Sequence, residues 1–141
     1  MQGTGGFMSY LKFLTLATPL ALALFSPCVQ AQTTPAEQIA GYVAQSGQPA
    51  QAARGQEFFT SKHGKDWSCS TCHTAKPTVD GKHASTGKRI APMAPAFNPQ
   101  RFTDAAKTEK WFRRNCNDVV GRECTAGEKA DLLSWLVSLK S

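Results

Sequence analysis

Two cysteines three residues apart, with a histidine directly behind the second, restrict this chain more than any other feature. They lie in WSCSTCHTAK, from Trp67 to Lys76. In a single helical turn Cys69 and Cys72 share one face, and His73 follows at once. Two sulfurs and one imidazole so placed are what covalent haem attachment requires. The sulfurs form thioethers with the two vinyl groups, and the neutral imidazole reaches the iron from the same side. The motif occurs once, so it implies one haem c. A bare CxxC also serves zinc or thiol exchange. Zinc would have to recruit Cys116 and Cys124, whose C-x7-C spacing is unlike the second knuckle of a zinc ribbon. No strand–helix alternation supports a thioredoxin-like fold.

The start of the chain reads as an export signal. Lys12 is the one charge in a mainly apolar run from Leu11 to Phe25, and small or polar residues lead to VQA, ending at Ala31. The run is shorter than the roughly 20 residues a membrane span needs. The expected division is therefore a signal peptide, 1–31, cleaved near Ala31, and a periplasmic domain, 32–141. Cys28 leaves with the signal. With Cys69 and Cys72 committed to haem, Cys116 and Cys124 remain in an oxidising compartment, where a disulfide between them is expected. The net charge of +6 is scattered, with no basic run beyond the pairs KR and RR. Such a balance suits solubility or an acidic redox partner and gives no support to nucleic-acid binding.

The rest reads as one small all-α domain. Thr34, Pro35 and Glu37 form a capping box with proline at the first helical position. Ile39, Tyr42 and Val43 follow at helical spacing, and Gly47 and Pro49 end the segment. A second helix, QAARGQEFFTSK, puts Gly55 and Phe59 on one face, and a glycine there marks close backbone contact with another element. From Thr74 to Gln100 the sequence is irregular and rich in proline, with no strand signal, as expected of chain wrapped round a cofactor. Helix resumes after a cap at Thr103 or Asp104 and runs through AAKTEKWFRRNCN, followed by the loop DVVGREC. The last helix begins with a box from Thr125 to Glu128. Leu132, Leu133, Trp135, Leu136 and Leu139 give it a broad apolar face.

The far side of the iron is the harder question. Met93, in MAPAF, looks like the methionine ligand of electron-carrying cytochromes, but it directly follows Pro92 and lies a whole helix before the last one. In the place a methionine would normally occupy stands Asn115, on the face shared by Trp111 and Phe112, both candidates for packing on the haem. A buried asparagine must find partners or cost several kcal/mol. On pattern alone, an asparagine near a helix end bonding to local backbone is the favoured reading. His63 and His83 lie in polar, lysine-containing stretches and are expected in solvent. No general acid or base is identifiable, so enzymatic turnover stays open.

TGKRIAPMAP, RFTDAAKTEKWFRRNCNDVVGREC and GEKADLLSWL, together with CSTCH, resemble the sphaeroides haem protein (SHP) family of class I cytochromes c over roughly 37–139. The resemblance implies a small class I cytochrome c fold. It makes Asn115 the sixth iron ligand opposite His73, and puts a Cys116–Cys124 disulfide beside the haem. The Pro92 carbonyl would accept from the second nitrogen of His73. Members bind O2, NO and similar ligands such as CO, and are associated with a dihaem cytochrome c and a membrane cytochrome b. The alternative is an ordinary electron carrier with His73/Met93 ligation.

Overall fold

The structure is a computed structural model that describes Gly3 and residues 32–64 and 66–140. The leader reading of 1–31 lies outside the described residues, Gly3 apart. Thr34 is extended, and its hydroxyl takes the Glu37 N–H at 3.2 Å while the Glu37 carboxylate takes the Thr34 N–H at 2.7 Å. The box opens α1 (Pro35–Ser46), which stops at Gly47 in the left-handed region, φ 67°. Helix α2 (Ala52–Thr60) carries Gly55 and Phe59 inward. The one-turn helix α3 (Cys69–His73) follows. Asp104, not Thr103, caps α4 (Ala105–Val119), its carboxylate accepting the Lys107 N–H at 2.9 Å. Thr125 and Glu128 form the expected box at the start of α5 (Ala126–Ser138).

Helix α5 is the centre of the fold because it is apolar on more than one side. Leu132, Trp135 and Leu136 pack with Phe59 of α2, with the Phe59 and Trp135 rings 4.9 Å apart. Ala130 and Leu133 pack with Tyr42 of α1. Phe102 and Phe112 touch both clusters. At the crossing of α2 and α5 the buried Asp131 carboxylate is held by Arg54 Nε at 2.7 Å, Arg54 Nη2 at 2.9 Å and the Gln51 N–H at 2.6 Å. A carboxylate taken out of water needs that many donors to be tolerated.

Two expectations along the chain need correction. Helix α4 runs on to Val119 and does not stop at Asn117. Within the irregular stretch a small antiparallel pair forms, β1 (Gly81–Lys82) against β2 (Arg89–Ile90), with Gly81 opposite Ile90. Two residues per strand are too few to show alternation in a sequence. The pair is held by its turn, in which the His83 N–H donates to the Lys88 carbonyl at 2.8 Å, and by the Asp80–Arg89 ion pair. The all-α class stands.

Side chains tie α4 to α1 and α5. The Tyr42 hydroxyl donates to Glu109, and Lys129 Nζ lies 2.7 Å from the same carboxylate. Tyr42 also meets the Phe112 ring edge-on at 6.0 Å. Partial burial pushes the Glu109 carboxyl up, but the bonds from Lys129 and Tyr42 outweigh it and hold the group below the usual carboxylate range. A carboxyl with a depressed folded pKa lends stability above its unfolded pKa and loses it as pH falls through the folded one. Denaturant unfolding measured from neutral pH downward should show that loss in the native chain. In Glu109→Gln the loss should be smaller, with about 1 kcal/mol already missing at neutral pH.

Candidate haem site

The turn that carries the cysteines is locked at both ends. Ser68 opens it, with the Thr71 hydroxyl accepting the Ser68 N–H at 3.0 Å. Thr74 closes it at φ 64°, ψ 159°, a region nearly reserved for glycine that costs about 1–3 kcal/mol. Its hydroxyl holds that geometry by donating to the Lys76 carbonyl at 2.8 Å. The strained residue directly follows His73. On the other side, a Cβ at Gly81 would overlap the Cys72 carbonyl. Only glycine lets β1 lie there, and the Ala84 N–H then reaches Cys72 Sγ at 3.3 Å. Neither contact was legible beforehand, because nothing in the sequence couples position 81 to position 72.

Cys69, Cys72 and His73 line a cavity of about 540 Å³, within the range of small-molecule and cofactor sites. Trp111, Phe112 and Asn115 of α4 line it too, as does Met93. The sequence-derived candidates thus come together in one place. Trp111, 44% exposed, offers solvent an apolar surface that a planar cofactor would cover. Trp135 belongs to the core instead.

The donor chemistry fits a haem better than zinc or thiol exchange. Burial pushes the Cys69 thiol up to about 11, so it is a neutral thiol and not a reactive thiolate. Cys116 and Cys124 are joined in a disulfide, Cα to Cα 5.6 Å, and cannot complete a zinc site. Among the described residues no three His, Cys, Asp or Glu side chains cluster where a metal ion could be held. Burial, aided by the charge of Arg101, pulls the His73 pKa down to about 4. At neutral pH its imidazole is therefore uncharged, with a lone pair free to ligate. The Phe59 ring lies 6.2 Å from it.

Pro92 does not play the expected part. Its carbonyl accepts from Arg101 Nε at 2.8 Å and from Asn98 Nδ2 at 3.2 Å, which occupies both lone pairs. His73 Nδ1 is buried without a partner among the described residues. The two other histidines, expected in solvent, are half-buried. His63 Nε2 lies 2.7 Å from the Phe58 carbonyl, and its ring lies tilted against that of Phe58, centroids 4.3 Å apart. His83 lines the cavity, its Nδ1 accepting the Thr86 N–H at 3.2 Å.

Asn115 and Asn117 differ in an informative way. Asn117 bonds back to the Arg113 carbonyl at 2.8 Å, as an asparagine near a helix end commonly does. The Asn115 amide makes no such bond among the described residues and borders the cavity. Cys116, the next residue, ties this end of α4 to Cys124. Closing so short a loop should contribute about 2–3 kcal/mol. Cys116→Ser/Cys124→Ser is expected to unfold at correspondingly lower denaturant. Met93 packs against the cluster of Phe59, Leu132, Trp135 and Leu136, and its N–H donates to the Pro77 carbonyl at 2.8 Å.

A family model described as a domain of unknown function (DUF1924) matches residues 45–136. Cytochrome c-type protein SHP of Cereibacter sphaeroides is 51% identical over 131 residues, covering 90% of this chain and 98% of the relative. Cytochrome c'' of Methylophilus methylotrophus is 38% identical over 126 residues, covering 82% and 88%. Among solved structures, oxidized SHP, described as an oxygen binding cytochrome c, superposes with a TM-score of 0.72 at 55% identity, covering 76% of this chain and 98% of that one. Oxidized cytochrome c'' gives 0.66 at 34% identity, over 76% and 95%. A solution structure of the same cytochrome c'', described as bearing on haem-ligand detachment, gives 0.66 at 34%, over 76% and 94%.

Proposed function

This chain belongs to the SHP family of c-type cytochromes and carries one covalent haem c, and from that premise we propose that it is an exported electron-transfer protein that gives up Asn115 on reduction and takes a diatomic ligand such as O2, NO or CO in its place. The haem supplies a reducible iron whose oxidation state changes the ligands it prefers. Cys69 and Cys72 would anchor it through thioethers, and the neutral His73 imidazole would ligate the iron. The Asn115 amide oxygen would ligate the iron as well while the protein is oxidised. An amide oxygen is a hard, weak donor, suited to ferric iron and poor for the softer ferrous state. Reduction therefore favours its departure. Trp111 and Phe112 add apolar surface to the cavity wall beside Asn115.

The observation that carries this reading is the Asn115 amide, without a hydrogen-bond partner among the described residues, in the cavity that His73 also lines. The oxygen-binding description of a relative 55% identical in sequence supports the ligand class. In the Met93 alternative the thioether sulfur would prefer the ferrous state and keep the site closed; Met93 lines the same cavity, but it also packs, half-buried, against the Phe59 cluster. A periplasmic location and delivery of electrons by a dihaem cytochrome c or a membrane cytochrome b complete the proposal. The scattered positive charge suits an acidic partner face.

The test is an optical titration of purified holoprotein, ferric and then ferrous, with and without carbon monoxide. A ferrous spectrum that turns high-spin and shifts at once with carbon monoxide is the expected result. A low-spin ferrous spectrum indifferent to carbon monoxide, with a methionine–iron band in the ferric form, would overturn the reading.

A further inference from the structure

Arg101 is a cation out of place. It is half-buried at the cavity wall, and its guanidinium is braced twice, by Nε to the Pro92 carbonyl at 2.8 Å and by Nη2 to the Ala91 carbonyl at 2.6 Å. The ion pairs among the described residues use Arg54, Arg89, Arg113, Arg122 and Lys129, and none uses Arg101. Burial lowers its pKa, the mark of a charge deprived of water. A desolvated cation without an anion is costly. Of the five N–H donors of a guanidinium, two are spent on carbonyls and three remain.

The backbone beside it is also held at a cost. Phe102 sits at φ 59°, an outlier for an aromatic residue. Its carbonyl accepts from Gln38 Nε2 at 2.8 Å, and its ring packs on both core clusters. This strained, anchored residue fixes where Arg101 leaves the chain. Lys88, Lys107 and Arg114 also border the cavity, but all three are exposed. Arg101 alone among these cations is both sheltered and pre-positioned.

We infer that Arg101 is the cation that receives a propionate carboxylate of the haem. A planar guanidinium already oriented by two backbone bonds can take a carboxylate through its free N–H groups with little further ordering. The same side chain then links the cofactor's charged edge to the Ala91–Pro92 backbone. Arg101 is a binding and positioning residue, and its charge should favour the reduced form. The inference rests on the haem reading of the cavity.

The experiment compares native holoprotein with Arg101→Gln and Arg101→Lys, after a pyridine haemochrome assay has established covalent haem in each. Resonance Raman bands of propionate bending are expected to move in Arg101→Gln, and the midpoint potential to fall by about 59 mV, a tenfold shift toward the oxidised form. Arg101→Lys keeps the charge but not the planar fork, so its potential should stay close to native while the propionate bands still move. If Arg101→Gln does not mature, the lysine variant alone decides, since unmoved bands there overturn the inference. A residue that merely braces the Ala91–Pro92 backbone would lower stability in both variants and leave the propionate bands as they were. Native protein without covalent haem would sink the haem reading itself, whereas haem with unmoved bands sinks only the role of Arg101.

Discussion

Asn115→Ala is expected to convert the ferric holoprotein almost wholly from a low-spin to a high-spin spectrum at neutral pH, whereas Met93→Leu should leave the ferric spectrum unchanged. The asymmetry follows from where each side chain spends its bonding capacity. The Asn115 amide has no hydrogen bond among the described residues and borders the cavity, so on the proposed ligation its removal leaves the iron without that ligand. Met93 is one of several apolar groups around Phe59, Leu132, Trp135 and Leu136. Its replacement by leucine nearly conserves volume, and such swaps usually cost less than about 1.5 kcal/mol. The ferrous protein supplies a second arm. If Asn115 has already left on reduction, Asn115→Ala should scarcely alter the ferrous spectrum or its carbon monoxide shift. A variant whose ferric spectrum stayed low-spin would remove Asn115 from the ligand set.

What the sequence disclosed about this site was what is local in the chain. CxxCH places two thiols and an imidazole within five residues, and the boxes at Thr34–Glu37 and Thr125–Glu128 complete themselves within four, so each was readable without knowing the fold. Asn115 was harder. Its spacing from Trp111 and Phe112 put it on the right face, but only the contrast with Asn117 separates a cavity-facing amide from a helix-end one. What stayed hidden are contacts between distant positions. Tyr42 meets Glu109 across 67 residues. Gly81 packs on Cys72, and Arg101 turns back to Ala91 and Pro92, which removed the acceptor expected for His73. The β1–β2 pair is defined by its turn and an ion pair, neither of which leaves a periodic trace.

Gly55 is the exception among long-range contacts, because a glycine inside a helix announces that something lies against it. A Cβ at this position would overlap the Asp131 carbonyl oxygen and crowd the Leu132 nitrogen. Both are backbone atoms of α5, so no side chain can rotate away and the helices themselves must part. Overpacking of this kind costs about 3 kcal/mol, which in a domain of this size lowers the melting temperature by about 12 °C or more. Gly41→Ala, in α1, is the matched control. Its Cβ would meet nothing within 4 Å, and alanine in a helix is favoured over glycine by about 0.5–1 kcal/mol. The pair should therefore move in opposite directions in thermal unfolding of the holoprotein. Helix α2 also carries Phe59 against His73. Parting α2 from α5 in Gly55→Ala should disturb the imidazole's surroundings and alter the haem spectrum as well as the stability, while Gly41→Ala leaves the spectrum native.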